Sequence, residues 1–536
     1  MRPTPAIVFL TGEPPVPLGV LRPIWVETHH KVNGIPTAKI TLSVPGDALE
    51  TLSSCDEDID LCEPGRAAAI FLLEKGGETC VFRGAIVQQS LKMRRDRVEL
   101  TLTLRHRLQA LVNTHRSQVF EQQNDAAIVG RLLLEQEIPL LAVTGMSTLF
   151  DQLVQFRCSD WTFLRSRLDA NGVWLLPTPE GVTIMRPTLS AIPEHTFRQH
   201  AHSVDEDPLI EEGVWSFSEQ YQPSELTVAT WDDKAQVNQT ALASLTALGT
   251  QAFNATPGAP LNATPWEFNY STPLGLDVAT KLATSLLMNL QAAGAEGEFL
   301  VEGGANYRLG QTLAIEDYGR SFDGNGIITG IRHRVSKEEG WRTIVSLGKD
   351  DVVRDMTNVT RASGLHIGVI APFAEDISGM NRLRIRVPVL GDRNNVLWAR
   401  FASPYASQMS GFCFYPETGD EVVVGFIDED PSCPVILGAM HNPVNRAPVP
   451  PSLENTNKTL IINKGGQQFQ LSFDMLLGSV ELSSADNKLV LQEGVTLESK
   501  QVLAAKANSI SIEGERTTLS GKGAVTISGA RIDLSQ

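Results

Sequence analysis

The stretch Arg382-Leu383-Arg384-Ile385-Arg386-Val387 alternates a cation with an aliphatic side chain at every step. A period of two is what a β-strand presents when one face is buried and the other is wet. Downstream, Val422 to Phe426 and Val435 to Leu437 are continuous apolar runs, as expected of strands covered on both faces. Five short strands between His366 and Met440 suit a small barrel of the OB type. The barrel is followed by Asn442 to Ser452, which holds four prolines and reads as a stiff linker.

Working back toward the N-terminus, Ala38, Ile40, Leu42 and Val44 alternate with Lys39, Thr41 and Ser43. Val98, Leu100, Leu102 and Leu104 repeat the pattern, and Ile70 to Leu73 and Val81 to Val87 are further strands, giving a small barrel or sandwich. A mixed segment follows. Asn124 or Asp125 caps a helix with the face Ile128, Val129, Leu132 and Leu133. A second helix follows Ser159, carries Trp161, Leu164 and Leu168, and stops at Gly172. Strands at Leu153 to Arg157 and Val173 to Leu176 complete this α/β insert.

A second β unit begins near Glu206, with a strand at Glu225 to Thr230. Ala235 to Pro265 is poor in charge and reads as a surface excursion, helical in part over Thr240 to Leu248. A helix after Pro273 aligns Leu282, Leu286 and Leu290 and ends at Gly294. Strands return at Thr312 to Ile315, Gly326 to Arg334 and Trp341 to Leu347, echoing the first unit.

The tail, Asn457 to Gln536, differs from everything before it. Short alternations (Val480/Leu482, Leu489/Leu491, Val495/Leu497, Ile510/Ile512, Val525/Ile527, Ile532/Leu534) are separated by Gly, Ser, Asn and Lys, with no aromatic after Phe473. One such chain has too few large apolar groups to bury a core alone. A stacked β-solenoid, or three chains wrapped into a prism, would share a core between neighbours.

Bulk properties narrow the function. At 536 residues the chain exceeds a single core and implies about three to five domains. A net charge of −17 argues against nucleic acid as a partner, because phosphate neutralisation needs a basic face. No apolar run approaches the ~18–20 residues that span a bilayer. Between Met1 and Leu21 the apolar stretch Ala6 to Leu10 is too short for a secretory leader, so synthesis and assembly in the cytoplasm are expected. Six scattered cysteines (Cys55, Cys62, Cys80, Cys158, Cys413, Cys433) contain no C-x-x-C pair and are expected as reduced thiols.

The chain holds no G-x-x-x-x-G-K-[ST], H-E-x-x-H or G-x-S-x-G motif. His195, His200 and His202 form the one histidine cluster, without a companion cysteine, and read as a solvated loop. Asp428, Glu429 and Asp430 precede Pro431 and read as a turn between strands rather than acid/base groups. Arg382, Arg384 and Arg386 read as a solvated or inter-subunit salt-bridging stripe. No catalytic, cofactor or metal residue is assigned, and no enzymatic activity is expected.

Three segments carry a family resemblance. Phe156-Arg-Cys-Ser-Asp-Trp-Thr-Phe-Leu-Arg-Ser-Arg-Leu-Asp-Ala-Asn-Gly172 resembles the insert of phage late-control hub proteins and VgrG spikes. Tyr307 to Thr343 resembles the closing half of the same hub. Asn381 to Val387, Trp398 to Arg400, Pro404-Tyr405, Gly411-Phe-Cys-Phe-Tyr-Pro-Glu-Thr-Gly-Asp-Glu-Val422 and Asp430 to Gly438 follow the spike OB pattern in order and spacing. The chain thus resembles a VgrG-like spike of the phage hub-and-needle family.

The resemblance implies a mainly β, multidomain fold. Its parts are a first hub β-barrel (1–110), an α/β insert (111–205), a second hub barrel with a helical excursion (206–357), an OB-fold domain (360–445) and an intertwined β-prism needle (453–536). It implies a homotrimer that caps the inner tube of a contractile injection particle, contacts baseplate proteins and touches the target membrane transiently, with no cofactor. A separate tip protein of the PAAR-repeat type is expected at the C-terminal end. The short prism, and a linker with no room for a lysozyme domain, resemble the extracellular antifeeding-prophage and Photorhabdus virulence cassette systems, particles released from the cell. The alternatives are a type VI secretion or phage tail spike, a cell-wall-degrading enzyme with a solenoid domain, or a solenoid adhesin.

Overall fold

A computed structural model describes residues 6–12, 14–43, 55–74, 77–93, 98–198, 210–218, 223, 225–243, 265–304, 306–319, 322–348, 360–391 and 395–533. It divides into two compact units, Met1–Met440 and His441–Gln536.

The first unit is organised on a 13-stranded sheet. Ala6–Thr11, Ala67–Glu74, Gly77–Met93, Val98–Arg105, Thr37–Ser43 and Arg22–Lys31 follow one another as antiparallel neighbours. The alternation read from the sequence is the reason: Val98, Leu100, Leu102 and Leu104 are buried and their neighbours are not. They close on Val26, Ile40, Ile70 and Phe82 in one core. The strand Arg22–Lys31 then pairs on its free edge with Gly324–Ser336, followed by Gly340–Leu347, Ala295–Glu302 and Ile210–Phe217. Phe197, Phe299, Leu313, Ile328 and Val345 form the core on that side. The two β units expected as separate barrels therefore share one hydrogen-bonded sheet. That long-range pairing, Thr28 opposite His333 and Val26 opposite Val335, leaves no local signature in the chain.

The α/β insert follows the sequence reading closely. Asn124 caps the helix Asp125–Glu135 by accepting from Ala127 N at 2.9 Å, and Ser159 caps Asp160–Asn171 by accepting from Thr162 N at 3.1 Å. Gly172 ends that helix at φ 62°, a conformation that costs a residue with a Cβ. The rings of Phe120 and Phe163 stack at 5.4 Å between the hairpin and this helix.

Helix Leu276–Ala293 lays Ala279, Ala283, Leu287 and Leu290 on a three-stranded sheet of Leu226–Asp232, Val237–Leu242 and Trp266–Tyr270. The helix expected over Thr240 to Leu248 is not formed at its start, because Thr240 pairs with Ala229 in that sheet. Strand pairing overrode the local preference of an Ala- and Thr-rich stretch. Residues 244–264, the rest of the low-charge excursion, lie outside the described residues.

His366–Ile370, Leu383–Arg386, Val396–Phe401, Pro434–Ala439 and Glu421–Phe426 close into a five-stranded barrel around Ile385, Leu397, Val422, Val424 and Ile436. Val119, Val154 and Phe156 of the insert belong to the same core, so barrel and insert share apolar packing.

The second unit is an antiparallel meander of Asn457–Lys464, Gln467–Asp474, Ser479–Ser484, Asn487–Leu491 and Val495–Ser499. Between residues 500 and 533 no strand forms within the chain, contrary to the expectation for Ile510/Ile512 and Val525/Ile527. Of Ile532/Leu534, Leu534 lies outside the described residues. Strands need a ladder partner, and the single chain offers none there. No helix among the described residues is long and apolar enough to cross a membrane.

Candidate functional site

The feature with the clearest functional meaning is one face of the C-terminal meander. Its first turn is Gly465-Gly466, with φ values of 61° and 81°, joining Lys464 and Gln467 in a two-residue hairpin. Both turn positions need positive φ, so glycine there fixes the register of the ladder. Residues directly opposite one another in such a ladder point to the same side of the sheet. Leu460, Leu471 and Leu482 stand in one row, and Leu482 continues to Leu489 and Leu497. Ile462 stands opposite Phe469, Phe473 opposite Val480, and Val480 continues to Leu491 and Val495. Eleven large apolar side chains therefore share one face.

The other face carries mostly Gln, Ser, Thr, Glu and Lys. There Gln470 bonds Ser472 at 3.2 Å and Lys488 pairs with Glu481 at 2.8 Å. Nothing in the second unit covers the apolar face: Phe469 is 52% exposed, Leu482 54% and Leu497 58%. A contiguous apolar face of this kind marks an assembly surface. Burying the exposed half of eleven such groups is worth on the order of 10 kcal/mol per chain.

In the first unit, the acidic triplet is a fastening between domains. Asp428 and Glu429 hold φ 51° and 59°, as a tight turn requires. The Asp428 carboxylate accepts from the backbone N–H of Thr272 at 2.9 Å and from that of Ser271, tying the barrel to the loop before helix Leu276–Ala293. Burial pushes the Asp430 carboxyl above its ordinary value, against the opposing pull of Ser432 and Arg167. The same burial, with Asp430 beside it, raises the Cys433 thiol strongly. Arg167 is committed to Asp125 by two bonds of 2.7 and 2.9 Å, and Asn171 donates to the same carboxylate at 2.7 Å. A cavity of about 700 Å³ opens among these residues. The turn expected at this triplet is present; the Asp428 carboxylate ties the barrel to the second hub unit, while Asp430 accepts from Ser432 and Glu429 pairs with Arg361 within the barrel domain.

The arginine stripe is used within the chain. Arg382 pairs with Asp376 at 2.9 Å and lies 3.6 Å from Asp151, while Arg384 reaches Glu121 at 3.5 Å. Both guanidinium groups sit 5.6 Å from the Trp398 ring. From the sequence the stripe reads as solvated or inter-subunit salt-bridging; within the chain Arg382 and Arg384 have these partners, and Arg386 alone of the three is exposed. Gln152, which the sequence did not single out, locks the same joint. Its amide donates to Trp398 O (2.9 Å) and Ser432 O (2.7 Å) and accepts from Trp398 N (2.9 Å).

His195 bonds Gln311 at 3.0 Å and packs on Tyr307, so it is a structural contact of the hub, not a solvated loop residue. His200 and His202 lie outside the described residues. No group of three His, Cys, Asp or Glu suited to a metal ion occurs among the described residues.

Comparison with known proteins agrees with this architecture. Residues 20–337 match the family model of the Alg8 N-terminal domain, and residues 366–441 match the type VI secretion system/phage-baseplate injector OB domain. The type VI secretion system spike protein VgrG3 of Vibrio cholerae is 30% identical over 122 residues, 21% of this chain and 12% of that protein. The spike protein VgrG5 of Pseudomonas aeruginosa is 33% identical over 86 residues, 15% of this chain and 11% of that protein. The chain thus spans only about an eighth of the length of these curated relatives. Among solved structures, the lidded Francisella PdpA–VgrG complex superposes with a TM-score of 0.58 at 9% identity, covering 92% of this chain and 80% of that one.

Proposed function

We propose that this chain, which belongs to the Alg8 N-terminal domain family and is a VgrG-like spike, works as the homotrimeric central spike at the baseplate of a contractile injection particle. The observation that carries the reading is the bare apolar face of the meander, with no ladder among the described residues 500–533. Three copies turning these faces inward would share one core, and the strands without partners in one chain would find them in the next. The hub would meet the inner tube and baseplate proteins, and the prism would carry the force of contraction to a membrane. A PAAR-type tip protein would complete the needle. Its work is then mechanical and not enzymatic.

The particle type is assigned to the extracellular class, supported by the linker 442–452, which passes from barrel to meander without an intervening domain. Mass photometry of the purified chain tests the trimer. Electron microscopy of particles pelleted from culture supernatant and from lysate tests the rest. A monomer at micromolar concentration would refute the trimer, and particles confined to cells would refute the extracellular assignment.

A further inference from the structure

Three histidines lie buried where the two hub β units and the insert meet. His30 stands opposite Ile331 in the pairing of Arg22–Lys31 with Gly324–Ser336, and His333 stands opposite Thr28, so both point to one side of the seam. His106 follows the strand Val98–Arg105, with its backbone N–H donated to Pro36 O at 3.0 Å. All three are buried.

Two of the three rings, His106 and His333, accept a hydrogen bond that needs a neutral nitrogen, whereas His30 donates to a carbonyl. His106 Nδ1 accepts the backbone N–H of Leu108 at 3.2 Å, and His333 Nδ1 accepts the indole N–H of Trp341 at 3.3 Å while also lying 3.0 Å from the Thr343 hydroxyl. A ring nitrogen that accepts cannot also carry a proton, so protonating either ring breaks its bond. His30 Nε2 lies 3.0 Å from Val81 O and its ring meets the edge of Phe82. The charges facing the cluster mostly oppose protonation. The neighbouring His29 repels a proton from His30, Arg107 from His106, and His30 from both other rings; Glu180 of the insert, which attracts one to His30, is exposed.

From this placement we propose that the cluster is an acid-sensitive latch: protonation loosens the joint among the two hub β units and the insert, so that the hub is locked at neutral pH and opens in an acidic compartment. The inference does not depend on the spike reading. Burial agrees with it, pushing His30 and His106 down to about 4 and His333 to about 3. Folded values below the ordinary 6.5 mean that the contribution is complete above that pH. It is lost as pH falls from there toward the folded values. At pH 5 each ring lowers the closed-to-open ratio about 30-fold.

Amide hydrogen exchange of the full chain at pH 7.5 and 5.0, corrected for intrinsic rates, tests the latch. Protection in Arg22–Lys31 and Gly324–Ser336 should fall at least about 30-fold more than in the barrel strand Val396–Phe401. His333→Asn and His106→Asn, which keep an acceptor near Nδ1, should each recover about 30-fold of that loss. Exchange at the ring C2–H of wild-type protein should place all three titrations well below the ordinary histidine value of about 6.5, a result that needs no variant to fold. The proposal is overturned if the three rings titrate near the ordinary value of about 6.5. Loss of seam protection in step with the barrel, or equally in both variants, overturns it as well.

Discussion

Leu482→Asp is the sharpest perturbation of the assembly face. Leu482 sits mid-sheet between Leu471 and Leu489 and is 54% exposed in the single chain. Within one chain the change forfeits contacts of a half-covered side chain, about 1 kcal/mol. In a trimer the same position lies inside a closed core. There each copy loses roughly 1 kcal/mol more of burial and places a carboxylate in apolar surroundings, at several kcal/mol. Summed over three copies the penalty is on the order of 10 kcal/mol, or about 5 kcal/mol for each of the two association steps, a several-thousand-fold weakening of each. Sedimentation velocity at micromolar concentration should show trimers for the wild type and monomers for Leu482→Asp, with an unchanged far-UV spectrum. Ser483→Asp, one residue along on the polar face, is the matched control and should remain trimeric. If both variants sediment as the wild type does, the apolar face is not the trimer core. If Ser483→Asp dissociates equally, the register argument fails.

The domain joints give further expectations. Gln152→Ala removes three bonds between insert and barrel and leaves Trp398 and Ser432 backbone groups unpaired, which should cost about 2–4 kcal/mol in urea denaturation followed at Trp398. Asp376 is partly opposed by burial, but the Arg382 guanidinium and backbone N–H and Ser378 hold its carboxyl well below the ordinary range. Its contribution is present above about pH 4 and lost as pH falls further, so Asp376→Asn should flatten that part of the acid limb of a stability–pH profile. Burial raises the Cys62 thiol to about 12, whereas Cys413 is exposed. Maleimide at pH 8 should therefore modify Cys413 on the order of 1,000-fold faster than Cys62, and equal rates in the native protein would contradict the burial.

Much of this architecture was legible because its signals are local. Ser159 and Gly172 bracket a helix through the chemistry of their own side chain and backbone, and both ends fell where expected. Arg382 to Val387 yielded a strand because period two survives in any context with one wet face. Pairings distant in sequence were not legible. Nothing in Thr28 or His333 announces the other, yet their ladder fuses two β units into one sheet. The latch histidines escaped for the same reason, since 30, 106 and 333 become neighbours only through that seam.

The joint and the needle face differ in how sequence encodes them. Asp428, Glu429 and Asp430 look like chemistry because three acids in a row are unusual on a strand edge. Asp428 is instead held by backbone N–H groups of the second hub unit, Asp430 by Ser432 and Glu429 by Arg361. A single sequence cannot separate the two roles, since both require a carboxylate at a turn. The tail is the opposite case. Each pair such as Leu489/Leu491 is an unremarkable alternation, and only the register set by Gly465-Gly466 stacks five of them on one side. A sheet with a dry face and no cover is incomplete as a monomer. The shortage of large apolar groups that made the tail look weak is therefore the property on which the proposed sharing of a core with other copies rests.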